Sequence, residues 1–275
     1  MPFLFTNIRP YRLLLLGMLL WLSSLAAVCV TSGGIAVVKS DRVELADGAD
    51  IEIAGDVATV NVFTIDDSAI TVDSELFNAE RINYFVSPQG SPLATKVIIS
   101  ALINPDLRLR ASTVLNIGVP ADTNVTVSTG IGNITFDGDW TGTIKGVSTN
   151  GEVIATGSAG GYHLETVNGV IEAPAVNAPI FAKTRNGSIT VSADLPSRGH
   201  SQFETRNGDV NLTVTPDSDL LFVAQLTVGR IEAPEFATVD KKNKELLGVL
   251  GEGTASLDIK IKNGTLRLTL THPEP

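Results

Sequence analysis

Thr184-Arg185-Asn186-Gly187-Ser188-Ile189 and Thr205-Arg206-Asn207-Gly208-Asp209-Val210 are two copies of one pattern. It returns as Thr149-Asn150-Gly151-Glu152-Val153, as Thr166-Val167-Asn168-Gly169-Val170-Ile171, and finally as Lys262-Asn263-Gly264-Thr265-Leu266. Looser copies are Ser128-Thr129-Gly130-Ile131-Gly132-Asn133-Ile134 and Thr227-Val228-Gly229-Arg230-Ile231. The glycines at 132, 151, 169, 187, 208 and 229 are spaced by 19, 18, 18, 21 and 21 residues, and the step on to Gly264 is 35. A constant step of this size marks a repeat architecture built from one supersecondary unit. Asn-Gly tolerates positive φ at both positions and so predicts a tight corner between two strands. Two architectures fit: a β-solenoid with like strands stacked in parallel, or an antiparallel meander. Near-identical corners at a constant step favour the solenoid, and stacked asparagines then hydrogen-bond along its axis.

Outward from the repeat, the chain continues as strands. Arg42–Leu45 and Asp50–Ile53 flank Ala-Asp-Gly and predict a hairpin. Alternation continues at Val57–Thr64, Lys96–Ile99 and Leu107–Arg110, and Leu115–Val119 ends at Pro120. Ser74–Arg81 offers two helical turns at most, and no longer window after residue 31 has a helical period. The fold class is all-β: a β-rich N-terminal region over 31–121, then the repeat region over 122–271. The N-terminal strands and the pair Ile259/Ile261–Leu266/Leu268 are the expected caps.

Residues 1–12 carry Arg9 and Arg12 and no acid, and residues 13–30 are uncharged. This predicts a cytoplasmic basic flank and then one hydrophobic helix, either a transmembrane anchor or a cleaved signal peptide with Ser24-Leu25-Ala26 as the cleavage site. In both cases the rest of the chain is exported. The 275 residues hold 30 acidic and 20 basic side chains, for a net charge of −10. An acidic chain lacks the basic stripe that nucleic-acid binding needs. One cysteine excludes a disulfide framework, and three histidines leave little for a metal centre. No cofactor is expected.

The strand ending at Pro120, the serial Thr-x-Asn-Gly units, the glycine-rich Gly251-Glu252-Gly253 link and the closing strand–Asn-Gly–strand resemble the bacterial putative-adhesin family, a domain-of-unknown-function family. The resemblance covers roughly residues 40–270. It implies a β-solenoid-like fold at the cell envelope and supplies no catalytic residues.

Asn150, Gly151, Asn168, Gly169, Asn186, Gly187, Asn207, Gly208, Asn263 and Gly264 are read as structural turns. Arg185 and Arg206 hold the same place in successive units, and Arg230 follows the equivalent glycine of the next. Stacked on one edge, the three are the candidate grip for a carboxylate or phosphate of an envelope glycan or related polymer. The competing reading is a solvated pair balanced by Glu165, Glu204 and Asp209. Asp137 and Asp139 beside Trp140, and Asp66-Asp67, are the best carboxylate pairs for polysaccharide chemistry, but aspartate is expected in turns anyway. His163 and His200 have no consistent acid partner. A non-enzymatic, membrane-anchored adhesin or surface-binding protein is therefore expected. The alternatives are an accessory ectodomain contacting another envelope protein and, more weakly, a polysaccharide-acting enzyme.

Overall fold

The computed structural model describes residues 25–31, 34–104, 111–195, 198–235, 239–240 and 244–271. The strands are β1 (Leu25–Thr31), β2 (Gly34–Thr64), β3 (Ala69–Phe77), β4 (Ile82–Gln89), β5 (Ala94–Ile103), β6 (Ser112–Val119), β7 (Asn124–Ile131), β8 (Ile134–Asp137), β9 (Thr143–Asn150) and β10 (Val153–Thr156). There follow β11 (Gly161–Asn168), β12 (Ile171–Val176), β13 (Ile180–Asn186), β14 (Ile189–Ala193), β15 (His200–Asn207), β16 (Val210–Val214), β17 (Leu220–Glu232), β18 (Val239–Asp240), β19 (Glu245–Leu250) and β20 (Ala255–Leu270).

Each repeat is one rung: a long strand, the glycine corner, then a shorter strand. The long strands β7, β9, β11, β13 and β15 pair in parallel, each with the next. The short strands β8, β10, β12, β14 and β16 do the same. All these pairings are parallel, as a stack requires and a meander does not. Alternate side chains of both layers point inward: Ile144, Leu164, Ile180 and Phe203 from the long strands meet Ile134, Val153, Ile171 and Ile189 from the short ones, all fully buried.

The rung motif explains itself residue by residue. The buried Thr166, Thr184 and Thr205 each donate a hydroxyl to the glycine carbonyl of the neighbouring rung, at 2.9–3.1 Å, and Ser148 does so at 3.0 Å. The asparagines form a ladder: Nδ2 of Asn168, Asn186, Asn207 and Asn263 donates to Oδ1 of Asn150, Asn168, Asn186 and Asn207 at 2.7–2.8 Å. The glycines stack so closely that a Cβ on Gly169 would overlap the carbonyl oxygen of Gly151, and one on Gly187 would overlap that of Gly169. One expectation about the corner needs correction. Only Asn78 and Lys244 among the described non-glycine residues have positive φ, so the corner asparagines are ordinary extended residues. They turn the chain from one layer to the other without reversing it, and their side chains are freed for the ladder.

Stacking order departs from chain order at both ends. β20 lies between the β15–β16 rung and β17: Asn207 pairs Asn263, while Val228 and Gly229 pair Asn263 and Gly264. At the other end β2 lies between β5–β6 and β7–β8. The strand pair of β20 is thus an interior rung and not a cap, contrary to expectation. The caps are antiparallel additions: β19 on β17, β4 on β5, and β3 on β6. They close the edges of the parallel stack with strands of opposite direction.

The N-terminal region differs from its sequence reading in three places. Arg42–Glu44 pairs with β3 and Asp50–Ile53 with β5 and β7, so they are not a hairpin; β2 bends at Gly48, with φ +67°, and passes from one layer to the other. Ser74–Phe77 is strand, and only Ala79–Arg81 makes a single 3-10 turn. Residues 25–30 of the expected hydrophobic helix lie in β1, antiparallel to Ser40–Ile35. Residues 1–24, including the basic flank and the rest of the apolar run, and the expected strand Leu107–Arg110 lie outside the described residues. No helix among the described residues is long and apolar enough to cross a membrane.

Candidate cationic binding face

The second residue of each Thr-x-Asn-Gly corner points outward, because threonine points in and strand side chains alternate. In register these positions form a column: Gly130, Thr149, Val167, Arg185, Arg206, Lys262 and Thr227. Arg185 and Arg206 are therefore neighbours, as the repeat predicts. The third cation is Lys262, not Arg230, because β20 occupies the next rung. Arg230 pairs with Thr265 in the strand beyond and forms an ion pair with Glu232. Glu232 also binds Arg267, which reaches Asp209 at 3.0 Å. Arg230 thus belongs to a neutralised network past the corner, and it leaves the candidate site.

The acids expected to balance the arginines serve other partners. Glu204 pairs with Lys183 at 3.0 Å, Asp209 with Arg267, and Glu165 lies 2.6 Å from His163, whose ring stacks on Phe181. Among the described residues no carboxylate pairs with Arg185, Arg206 or Lys262, and all three are exposed. A groove of about 610 Å3 is lined by Arg206, Lys260, Lys262, Gln225 and Glu245, and one of about 400 Å3 by Val167, Lys183, Arg185 and Arg206. The two share Glu204 and Arg206 and continue one another along the stack.

Three of the four carboxylates weighed for catalysis make structural bonds. Asp137 accepts the Thr156 hydroxyl at 2.6 Å. Asp139 accepts the backbone N–H and the hydroxyl of Ser158, which hold its pKa below the usual carboxylate value. Trp140 is buried edge-on against Phe136 and presents no sugar platform. Asp67 binds Arg42 through both oxygens, and that guanidinium lowers its pKa. His200 contacts Ser256, at 2.8 Å. Among the described residues no group of three or more histidine, cysteine or acidic side chains is placed to hold a metal ion.

Sequence reasoning missed Lys262, although a signal was present. The Thr227-Val228-Gly229 unit has valine where the ladder needs asparagine, so it belongs at a ladder end. Only Asn263 continues the ladder past Asn207.

The Toastrack DUF4097 family model matches residues 106–269. This chain belongs to the Toastrack DUF4097 family. The match spans β6 to β20 and bears out the resemblance to putative adhesins over that range; residues 40–105 lie outside it. Similar solved structures include a putative adhesin from Bacteroides fragilis at 14% identity, covering 84% of this chain and 96% of that one with a TM-score of 0.46. A putative cell adhesion protein from Clostridium sporogenes is 9% identical, covering 91% and 100%, with a TM-score of 0.38. A putative adhesin from Parabacteroides merdae is 9% identical, covering 86% and 97%, with a TM-score of 0.32. No curated protein matches the chain.

Proposed function

We propose that this Toastrack protein is an exported, non-enzymatic surface-binding protein of the cell envelope that holds anionic polymer on the outer face of its stack. The observation that carries the reading is the file Arg185, Arg206 and Lys262, with which no carboxylate among the described residues pairs, on a chain of net charge −10. A cationic groove on an otherwise acidic surface steers anions to one place. The non-enzymatic part is supported by the engagement of Asp137, Asp139 and Asp67 in structural bonds.

Export is supported by Arg9, Arg12 and the uncharged run that follows. With Leu25–Thr31 in β1, the apolar stretch left over is 13–24. That is the length of a signal's apolar region and short of the roughly 17–25 residues of a span, which favours the cleaved form. The mass of the exported protein tests this: cleavage at Ser24-Leu25-Ala26, which trims the first two residues of β1, is expected, and an intact N-terminus with membrane retention would restore the anchor.

The binding reading is tested by capturing solubilised envelope polysaccharide on the full-length chain, wild type beside Arg185→Ala/Arg206→Ala. Retention lost in the double variant is expected; equal retention by both strips the arginines of a role. A second reading, an accessory ectodomain docked on an envelope protein, is favoured by exposed Leu221, Leu247 and Val249 at the β17–β19 cap. Crosslinking to one dedicated protein, unchanged in the arginine variant and lost in Leu247→Glu, would favour it instead.

A further inference from the structure

We infer that the cationic column is a track for a linear polyanion lying along the stack axis, one anionic group per rung. This rests on the surface-binding reading above and names the ligand class of that site.

Arg185, Arg206 and Lys262 stand at one position of three consecutive parallel strands, so they leave the sheet at the strand spacing, about 4.8 Å. One guanidinium fork suffices for an isolated carboxylate or phosphate, so a file of three offers a partner to each of three successive anionic groups. Like charges on neighbouring strands repel. A polymer with one carboxylate or phosphodiester per repeat neutralises the whole file at once.

The direction of the track follows from what flanks it. Along β15, a ligand leaving Arg206 meets the carboxylate of Glu204. Along the axis it meets the next cation, then Val167 at one end and Thr227 at the other, both exposed, with the carboxylates of Glu165 and Glu245 in the grooves beside those two ends. Glu204 is itself neutralised by Lys183, and Lys260 adds a further charge beside Lys262. The two grooves meet at Arg206 and so present a continuous channel parallel to the file. The third cation is in line only because β20 is inserted out of chain order. The chain's net charge of −10 opposes polyanion binding away from the file.

The test is calorimetric titration of the full-length chain with two probe series, oligogalacturonates and glycerol-phosphate oligomers, each of one to six repeats. Affinity is expected to climb with each charge up to the third and to level off beyond it. For a trimer, log K should fall against log salt with a slope on the order of −2, about 0.7 per contact as for flexible single-stranded polyanions. Lys262→Gln should abolish the gain from the third repeat and reduce the slope to about −1.4. Whichever series responds identifies the group as carboxylate or phosphodiester. Equal affinity for monomer and trimer, or a Lys262→Gln variant indistinguishable from wild type, overturns the axial track. If Arg185→Ala/Arg206→Ala still abolishes binding in that case, the surface-binding reading survives as an isolated-anion site. No binding of any oligomer at low salt overturns both.

Discussion

Replacing Asn186 with alanine removes a link from the middle of the ladder. Its Nδ2 donates to Asn168 at 2.7 Å, and its Oδ1 accepts from Asn207 at 2.8 Å, so two hydrogen bonds go. Both are neutral and lie at an exposed corner, so each contributes about 0.5–1 kcal/mol, the lower part of the usual net range. Asn186→Ala should therefore cost about 1–2 kcal/mol. Asn150 stands at the ladder's end, where the neighbouring position is Ile131, and makes only the bond from Asn168. Asn150→Ala should cost about half as much. Asn168 and Asn186 share a bond, so the double variant loses three bonds where the singles lose two each. The double should fall short of additivity by one bond, about 0.5–1 kcal/mol. Urea unfolding followed by circular dichroism measures Asn150→Ala, Asn168→Ala, Asn186→Ala and the double variant against wild type, and Asn186→Ala should also lower Tm by about 2–8 °C. Equal costs for Asn150→Ala and Asn186→Ala, or strict additivity of the pair, would refute the ladder as an energetic unit.

Gly169→Ala drives a Cβ into the Gly151 carbonyl and should cost about 3 kcal/mol or more, whereas Gly161→Ala meets nothing nearer than 3.7 Å and should stay within about 0.5 kcal/mol; paired denaturant curves decide it. Thr184→Val keeps the shape but leaves the Gly169 carbonyl without its hydroxyl donor, for an expected loss of about 1–2 kcal/mol by the same melts. Asp139 is held below its unfolded pKa by Ser158, so its stabilisation is complete above the unfolded value, near 3.9, and disappears as pH falls through the depressed folded value. Acid unfolding of Asp139→Asn should then show a flatter low-pH limb than wild type; identical limbs would remove Asp139 from the acid response.

Much of the fold was legible in the residues. The constant step, the β-branched alternation and the asparagine at five of the corners predict parallel rungs and a side-chain ladder, and both are present. The Arg185–Arg206 pairing was legible for the same reason, since equivalent positions of successive units coincide in a stack. The hairpin at Ala46–Gly48 was misread because alternation reports which face a side chain takes and not which strand it pairs with. Partner choice there is made by β3 for Arg42–Glu44 and, more than 40 residues away, by β5 and β7 for Asp50–Ile53. The balancing role given to Glu165, Glu204 and Asp209 failed because proximity in sequence does not fix which cation shares a row on the sheet.

The sequence by itself determined the rung: a buried threonine, an outward variable residue, a ladder asparagine and a glycine that permits backbone contact. These are local requirements, repeated at each turn of the stack. Only the tertiary structure decided the order of the rungs, because every corner is complementary to every other and periodicity carries no rank. That order is set at the ends, where Val228 cannot continue the ladder and β19 pairs antiparallel on β17, leaving the place beside Asn207 to β20. The same insertion sets Lys262 beside Arg206 and turns a pair of arginines into a row of three cations.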